Sequence, residues 1–267
     1  MLIDTHCHLD FNAYDDMRDE IVEEAAAVGV TRIINPGVDL ERCRAALALA
    51  DQYAGVYAAV GIHPTSTVDF ANETLAEVRA LADHAKVVAI GEIGLDYYWD
   101  TSPKATQWGA FEAQLALAAE LELPVIIHNR EASDDVIAML RTWVKTLPES
   151  LKDRPGVLHS FSAPSEIADQ ALDLGFYLGF TGPVTFKKAD DLRQIAARIP
   201  EDQILVETDG PFLTPHPYRG KRPNKPAYVR YIAERIAALR TMTDEAFAAL
   251  STANAERLFA RLGEVDS

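Results

Sequence analysis

Two histidines separated by one residue, His6 and His8, begin a set of six side chains whose types point to metal chemistry; the others are Glu92, His128, His159 and Asp209. Neutral imidazole and carboxylate are the donors that zinc, manganese and related divalent ions accept. Six donors are too many for one catalytic ion that must keep a position open, and two ions sharing a bridging carboxylate resolve the excess. Paired ions about 3.5–4 Å apart lower the pKa of shared water toward roughly 7 and clamp a phosphoryl or acyl oxygen as charge develops. That is the chemistry of hydrolysis. The expected cofactor is a pair of divalent metal ions, with zinc, manganese and magnesium as the candidates.

Donors so distant in sequence meet only if regular elements carry them to one place. Eight short runs rich in Val, Ile, Leu and Phe read as buried parallel strands: Leu2–His8, Arg32–Pro36, Val56–His63, Val87–Ile93, Val125–His128, Val157–Phe161, Phe176–Phe180 and Ile204–Glu207. The six donors fall at or just past the C-terminal ends of these runs. Amphipathic stretches lie between them. Asp15–Val28 places Met17, Ile21, Ala25 and Val28 at helical spacing before Gly29, and Ser102-Pro103 begins a stretch with Trp108, Phe111, Leu115 and Ala118 along one stripe. Eight such units with no break in composition predict the α/β class and a single-domain (β/α)8 TIM-like barrel over residues 1–267, with the metal site at the C-terminal ends of the strands. A doubly wound open sheet is the alternative. Strand alternation points His6 and His8 toward the barrel axis and Cys7 outward. Glu92, on a strand between those of the histidine pair and the other two histidines, is best placed to bridge. Glu207 shares parity with Asp209 and is expected behind the donors. His84 falls at the opposite end of the barrel and receives no role. A Pro-rich basic loop follows the eighth strand, then helical stretches over Pro226–Leu239 and Asp244–Leu262.

The composition, 48% apolar and 25% charged, belongs to a water-soluble globule and excludes disordered, fibrous and membrane-embedded classes. No apolar run approaches the roughly 20 residues of a membrane span. Asp and Glu number 41 against 25 Lys and Arg, a net charge of −16 that disfavours general coating of a duplex or an anionic membrane. A phosphate-bearing substrate must therefore be bound locally. Two cysteines form no disulfide framework, and Met1-Leu2-Ile3-Asp4 leaves no room for a signal-peptide apolar region, so a reducing cytoplasmic location is expected. No stable protein partner is implied.

The segments Asp4-Thr5-His6-Cys7-His8-Leu9-Asp10, Val60-Gly61-Ile62-His63-Pro64, Ile90-Gly91-Glu92-Ile93-Gly94-Leu95-Asp96, His128-Asn129-Arg130-Glu131-Ala132, Leu158-His159-Ser160-Phe161 and Glu207-Thr208-Asp209-Gly210-Pro211-Phe212 occur in this order along the chain. In them the chain resembles the TatD family of metal-dependent hydrolases, a branch of the amidohydrolase-like barrels. Gly210, where the family often has alanine, is the visible departure. The resemblance implies a divalent-metal-dependent deoxyribonuclease with exonuclease character, acting on DNA, chiefly single-stranded ends. It implies His6, His8, Glu92 and Asp209 around one ion and Glu92, His128 and His159 around the second, with Asp209 also receiving a proton from the attacking water. Glu92 takes the place that a carbamylated lysine fills in related barrels, and Lys86 precedes the strand, so no carbamate is expected.

His63 ends the third strand at the same mouth but would overfill the metal centre, so it is assigned to a substrate phosphate or leaving group. Arg130 is suited to gripping a phosphate. Tyr97 and Tyr98 could offer a face for a splayed base. Arg219, Lys221 and Arg222 are candidates for guiding a strand. Cys7 and Cys43 read as small packing residues. The competing activity is that of a bimetallic amidohydrolase or esterase acting on a small lactone, amide or aminoacyl ester, because the same centre attacks carbonyl and phosphorus alike. A non-catalytic nucleic-acid binder is disfavoured, since binding alone requires no six converging donors.

Overall fold

In the computed structural model, which describes residues 1–263, eight parallel strands pair in chain order. They are β1 (Leu2–Asp4), β2 (Val30–Pro36), β3 (Val56–Val60), β4 (Val87–Asp96), β5 (Val125–Arg130), β6 (Gly156–Leu158), β7 (Tyr177–Phe180) and β8 (Ile204–Val206). The intervening helices are α1 (Arg18–Ala27), α2 (Leu40–Gln52), α3 (Asn72–Ala82), α4 (Lys104–Leu121), α5 (Ser133–Trp143), α6 (Ser165–Asp173) and α7 (Asp190–Arg198). After β8 come α8 (Val229–Leu239) and α9 (Asp244–Leu258), so the chain is a nearly closed barrel of the TIM type.

Both faces of the strands are covered, which accounts for the near-continuous apolar runs. Each strand sends a large apolar side chain into the lumen, from Ile3 on β1 to Leu205 on β8, and Ala255, Leu258 and Phe259 at the end of α9 pack against this inner layer. A larger outer layer fills the space between strands and helices. Local caps set helix starts: Asp39 accepts the Arg42 N–H at 2.8 Å before α2, and Thr243 accepts the Ala246 N–H at 3.2 Å before α9.

Several strands end earlier than their apolar runs. His6 and His8 lie beyond β1, His63 beyond β3, His159 beyond β6 and Asp209 beyond β8, although single backbone bonds, such as His159 N–H to Ile127 O at 3.0 Å and His63 N–H to Val38 O at 2.9 Å, continue past the regular ladders. Strand β4 instead runs on to Asp96. Helix α1 begins at Arg18 rather than Asp15. Ser102 does not cap α4; its hydroxyl accepts the Thr67 N–H at 3.1 Å, and Pro103 is the capping residue. Phe111, Leu115 and Ala118 are buried as expected, but Trp108 is 39% exposed and its indole N–H donates to the Tyr97 hydroxyl.

The barrel closes between β8 and β1 without a regular ladder. Val206 O accepts the Thr5 N–H at 3.4 Å, His6 O accepts the Asp209 N–H at 2.8 Å, and Gly210 O accepts the His8 N–H at 2.8 Å. The buried Asp4 carboxylate completes the seam, accepting the Thr208 N–H at 2.8 Å and its hydroxyl at 2.6 Å. The segments that close the barrel are therefore those that present His6, His8 and Asp209.

Candidate metal centre

All six expected donors converge at the C-terminal mouth, around Glu92. His6 Nε2 and His8 Nε2 are 3.3 Å apart although they lie past the end of β1, because the extended backbone keeps strand parity as far as Cys7, which bridges to Gly210. Cys7 points away and packs near the Tyr14 hydroxyl at 3.8 Å. Glu92 Oε2 is 3.3 Å from His6 Nε2 and 3.6 Å from His8 Nε2, while Oε1 is 2.9 Å from His128 Nδ1 and 2.8 Å from His159 Nε2. One carboxylate thus faces one histidine pair with each oxygen. Asp209 Oδ1 is 3.8 Å from His6 Nε2 and 3.6 Å from His8 Nε2. Asp209 adopts φ 52°, a left-handed conformation that aspartate tolerates better than most residues.

These residues fit divalent cations. Donor atoms of His6, His8 and Asp209 lie within 4.8 Å of one another, as do those of His63, Glu92 and His128 and those of His6, His159 and Glu207. The separations of 3.3–3.8 Å around His6 and His8 exceed the roughly 2.7–2.9 Å of a charge-assisted hydrogen bond. The groups face a common space more than they satisfy each other.

Electrostatics divides the cluster. Burial first, then the neighbouring His159 for His6 and His6 for His8, lowers both imidazoles' affinity for a proton. Burial, with His128 beside it, pushes His63 down to about 3. Burial opposes a charge on His128 and His159 too, but carboxylates prevail: Asp96 and Glu92 raise His128, and Glu92 and Glu207 raise His159 well above its usual range. Burial alone would push Glu92 up; His159, His63, His6 and the His128 hydrogen bond outweigh it and hold the carboxyl well below the usual carboxylate range. Burial lifts Asp209 to about 6 against the pull of His159 and His8. His6 and His8 therefore present free lone pairs, whereas a cation at His128 and His159 must displace protons.

A family model described as TatD related DNase matches residues 3–260. The chain belongs to the TatD family. It is 47% identical over 259 residues to the uncharacterized metal-dependent hydrolase YabD of Bacillus subtilis (strain 168), covering 97% of this chain and 99% of that protein. It is 37% identical over 262 residues to a protein of Cronobacter sakazakii (strain ATCC BAA-894) named 3'-5' ssDNA/RNA exonuclease TatD, covering 97% of each. The crystal structure of YJJV, a TatD homologue from Escherichia coli K12, superposes with a TM-score of 0.89 at 33% identity, covering 97% of this chain and 98% of that one. The protein is accordingly a metal-dependent hydrolase.

Around this TatD centre the structure adds Asp96, to which the sequence assigned no role, and fixes the surroundings of His63 and Glu207. Asp96, buried on β4 with the parity of Glu92, accepts from the backbone N–H groups of Tyr98 and Trp99 and lies 2.9 Å from His128 Nε2. The shared parity was the available signal. His63 Nδ1 accepts the Thr65 N–H at 3.2 Å and lies 2.6 Å from the Thr65 hydroxyl; with Nδ1 accepting from both, a neutral ring holds its proton on Nε2, 3.6 Å from Glu92 Oε1. Glu207 lies in the lumen behind the donors, near His159 Nδ1 at 3.6 Å and the Thr5 hydroxyl at 3.4 Å. A Cβ on Gly179 would stand 2.5 Å from that carboxylate, so only glycine leaves it room.

Two glutamines on the buried face of α4 hold the strand ends. Gln114 accepts the Ile62 N–H at 2.7 Å and donates to the Ile62 carbonyl at 3.1 Å; Gln107 accepts the Asp96 N–H at 2.9 Å and donates to the carbonyls of Asp96 at 2.9 Å and Ser102 at 3.0 Å. Pairing of β3 with β4 ends at Val60 and Ile90, and each side-chain amide takes the place of a neighbouring strand beyond that point.

The mouth is a cavity of about 740 Å³ whose lining includes Phe11, His63, Trp99, Arg130, Phe212 and Arg222. Tyr97 does not line it: its hydroxyl donates to Asp135 at 2.6 Å and Lys104 lies 3.6 Å from its ring centre. Trp99, 52% exposed, lines the mouth instead, beside Tyr98, over whose ring the Arg130 guanidinium lies at 3.8 Å. Lys86 donates to the carbonyls of Ala50, Tyr53 and Ala54, and His84 pairs with Asp51. Cys7 and Cys43 are buried free thiols. Among the described residues no helix is long and apolar enough to cross a membrane.

Proposed function

We propose that the chain is a divalent-metal-dependent nuclease that removes nucleotides from the ends of single-stranded nucleic acid. The observation that carries this reading is the placement of five donor residues, His6, His8, His128, His159 and Asp209, around a sixth, the Glu92 carboxylate, in an aromatic and cationic mouth. His6, His8, Glu92 and Asp209 would hold one ion, and Glu92, His128 and His159 a second. Such a pair supplies activation of water and neutralisation of charge at phosphorus.

Asp209, whose Oδ1 faces His6 and His8, would accept the proton of the attacking water at a carboxylate oxygen. His63 Nε2–H donates to a non-bridging phosphate oxygen or to the leaving oxygen. The Arg130 guanidinium, 3.8 Å over the Tyr98 ring, binds a phosphate, and Trp99 and Phe212 offer faces to bases. Asp96 keeps the His128 ring in place. A mouth of about 740 Å³ falls in the range of small-ligand sites and suits an end rather than a passing duplex. The name of the Cronobacter relative supports the substrate class. A reducing cytosol, in which both buried cysteines remain thiols, completes the setting.

The test is incubation of protein loaded with zinc, manganese or magnesium with end-labelled single-stranded DNA and RNA. Chelator-sensitive release of nucleotides is expected. Absence of release, together with turnover of a panel of lactones, amides or aminoacyl esters, would overturn the reading in favour of amidohydrolase or esterase activity.

A further inference from the structure

We infer that a basic ridge beside the mouth binds the trailing part of a single-stranded nucleic acid whose end occupies the metal centre. The inference rests on the nuclease reading and specifies its substrate as strands longer than the mouth can hold. The ridge is built from two loops, one after β7 and one after β8, that pack on each other. The Arg219 guanidinium lies 4.0 Å over the Phe186 ring, and the His216 N–H donates to the Thr185 hydroxyl at 2.8 Å.

Five exposed cations stand on these loops: Lys187, Lys188, Arg219, Lys221 and Arg222. Among the described residues none of the five takes part in an ion pair, whereas the nearby Arg193 and Lys225 are neutralised by Asp190 and Glu24. Residues 214–225 contain no aspartate or glutamate, in a chain whose net charge is −16. Unpaired like charges gathered on one surface repel one another, and a polyanion laid across them relieves that repulsion while releasing its own counterions.

Continuity with the mouth selects the occupant. Arg222, Phe212 and Leu213 line the cavity, and the exposed Arg219 and Lys221 precede Arg222 on the same loop. A phosphodiester chain leaving the mouth past Arg222 runs onto the loop that carries the other cations, so the partner is the remainder of the reacting molecule. Five phosphate contacts predict a slope of log affinity against log salt of about −3.5 for single strands, or about a hundredfold loss between roughly 50 and 200 mM salt.

The test compares the metal-loaded protein with its Lys187→Ala/Lys188→Ala variant on a dinucleotide and on long oligodeoxythymidylates, with binding of the long strand followed separately by fluorescence anisotropy. The variant is expected to cleave the dinucleotide at the parental rate, to show KM and Kd raised about tenfold for long strands, and to have a salt slope shallower by about 1.4. Unchanged KM, Kd and salt slope on long strands would overturn the ridge while leaving the nuclease reading intact, as would an equal loss on the dinucleotide. If neither protein releases nucleotides but the parent binds the long strand and the variant loses that binding, the ridge stands and the nuclease reading falls. A parent that does not bind the strand at all refutes the ridge.

Discussion

Replacement of Gln107 by leucine tests the idea that α4 holds the end of β4 through a side-chain amide. Leucine fills much of the same space but abandons three backbone groups, the N–H and carbonyl of Asp96 and the carbonyl of Ser102, in a region where Gln107, Asp96 and Ser102 are all nearly inaccessible. A stranded buried backbone group costs about 1–3 kcal/mol, so after partial relaxation the loss of stability is about 3–5 kcal/mol. For a chain of this length each kcal/mol lowers Tm by about 2–4 °C, which puts the expected fall at about 10 °C. Differential scanning calorimetry and urea denaturation of the metal-free protein provide the assay. Gln52→Leu on the exposed face of α2, where the amide donates only to the Tyr53 hydroxyl, is the control and should change stability by no more than about 0.5 kcal/mol. The same backbone displacement should loosen Asp96 and Glu92, so turnover below the melting temperature also falls. A Gln107→Leu protein that melts within about 2 °C of the parent refutes the reasoning, because it would show that water or backbone rearrangement satisfies those groups at little cost.

Glu92→Ala should lose most bound metal and nearly all turnover; parental metal content by atomic emission would defeat the bridging assignment. Asp96→Asn keeps an acceptor for the Tyr98 and Trp99 N–H groups but changes the atom facing His128, so metal affinity at that position should drop about 10–100-fold by competition with a chromogenic chelator. An unchanged affinity would mean that His128 is oriented by Glu92 alone. His63→Ala should retain the metals and reduce kcat/KM by about 10–100-fold. Loss of an ion from that variant would make His63 a ligand in spite of its bond from Thr65.

Much of the barrel was legible because buried parallel strands have a plain signature, and each of the eight apolar runs became a strand. Their ends were less legible. His6, His8 and His159 lie past the regular ladders, where single backbone bonds replace continuous pairing, and Asp209 leaves the extended conformation at φ 52°. The parity argument survived this for His6 and His8 because backbone bonds from Cys7 to Ile34 and from His8 to Gly210 keep the segment extended. Tyr97 was misplaced because it follows Asp96 in the chain and points to the other side, toward Asp135, leaving Trp99 at the mouth. Gln107 and Gln114 were illegible for a different reason. On an amphipathic helix a polar residue reads as solvent-facing, and only the structure reveals that both amides are buried against exposed strand edges.

The seam between β8 and β1 completes the donor cluster only when the two ends of the barrel's strand order have met. Asp4 and Thr208, its latch, are 204 residues apart, and Asp209 arrives with the latch. A ribosome-tethered intermediate containing β1 to β7 already possesses five donors, yet lacks both the sixth and the clasp that aligns the first two. Completion of the donor cluster and closure of the barrel thus depend on the same contacts, and an ion held by His6, His8 and Asp209 would reinforce the join between β8 and β1.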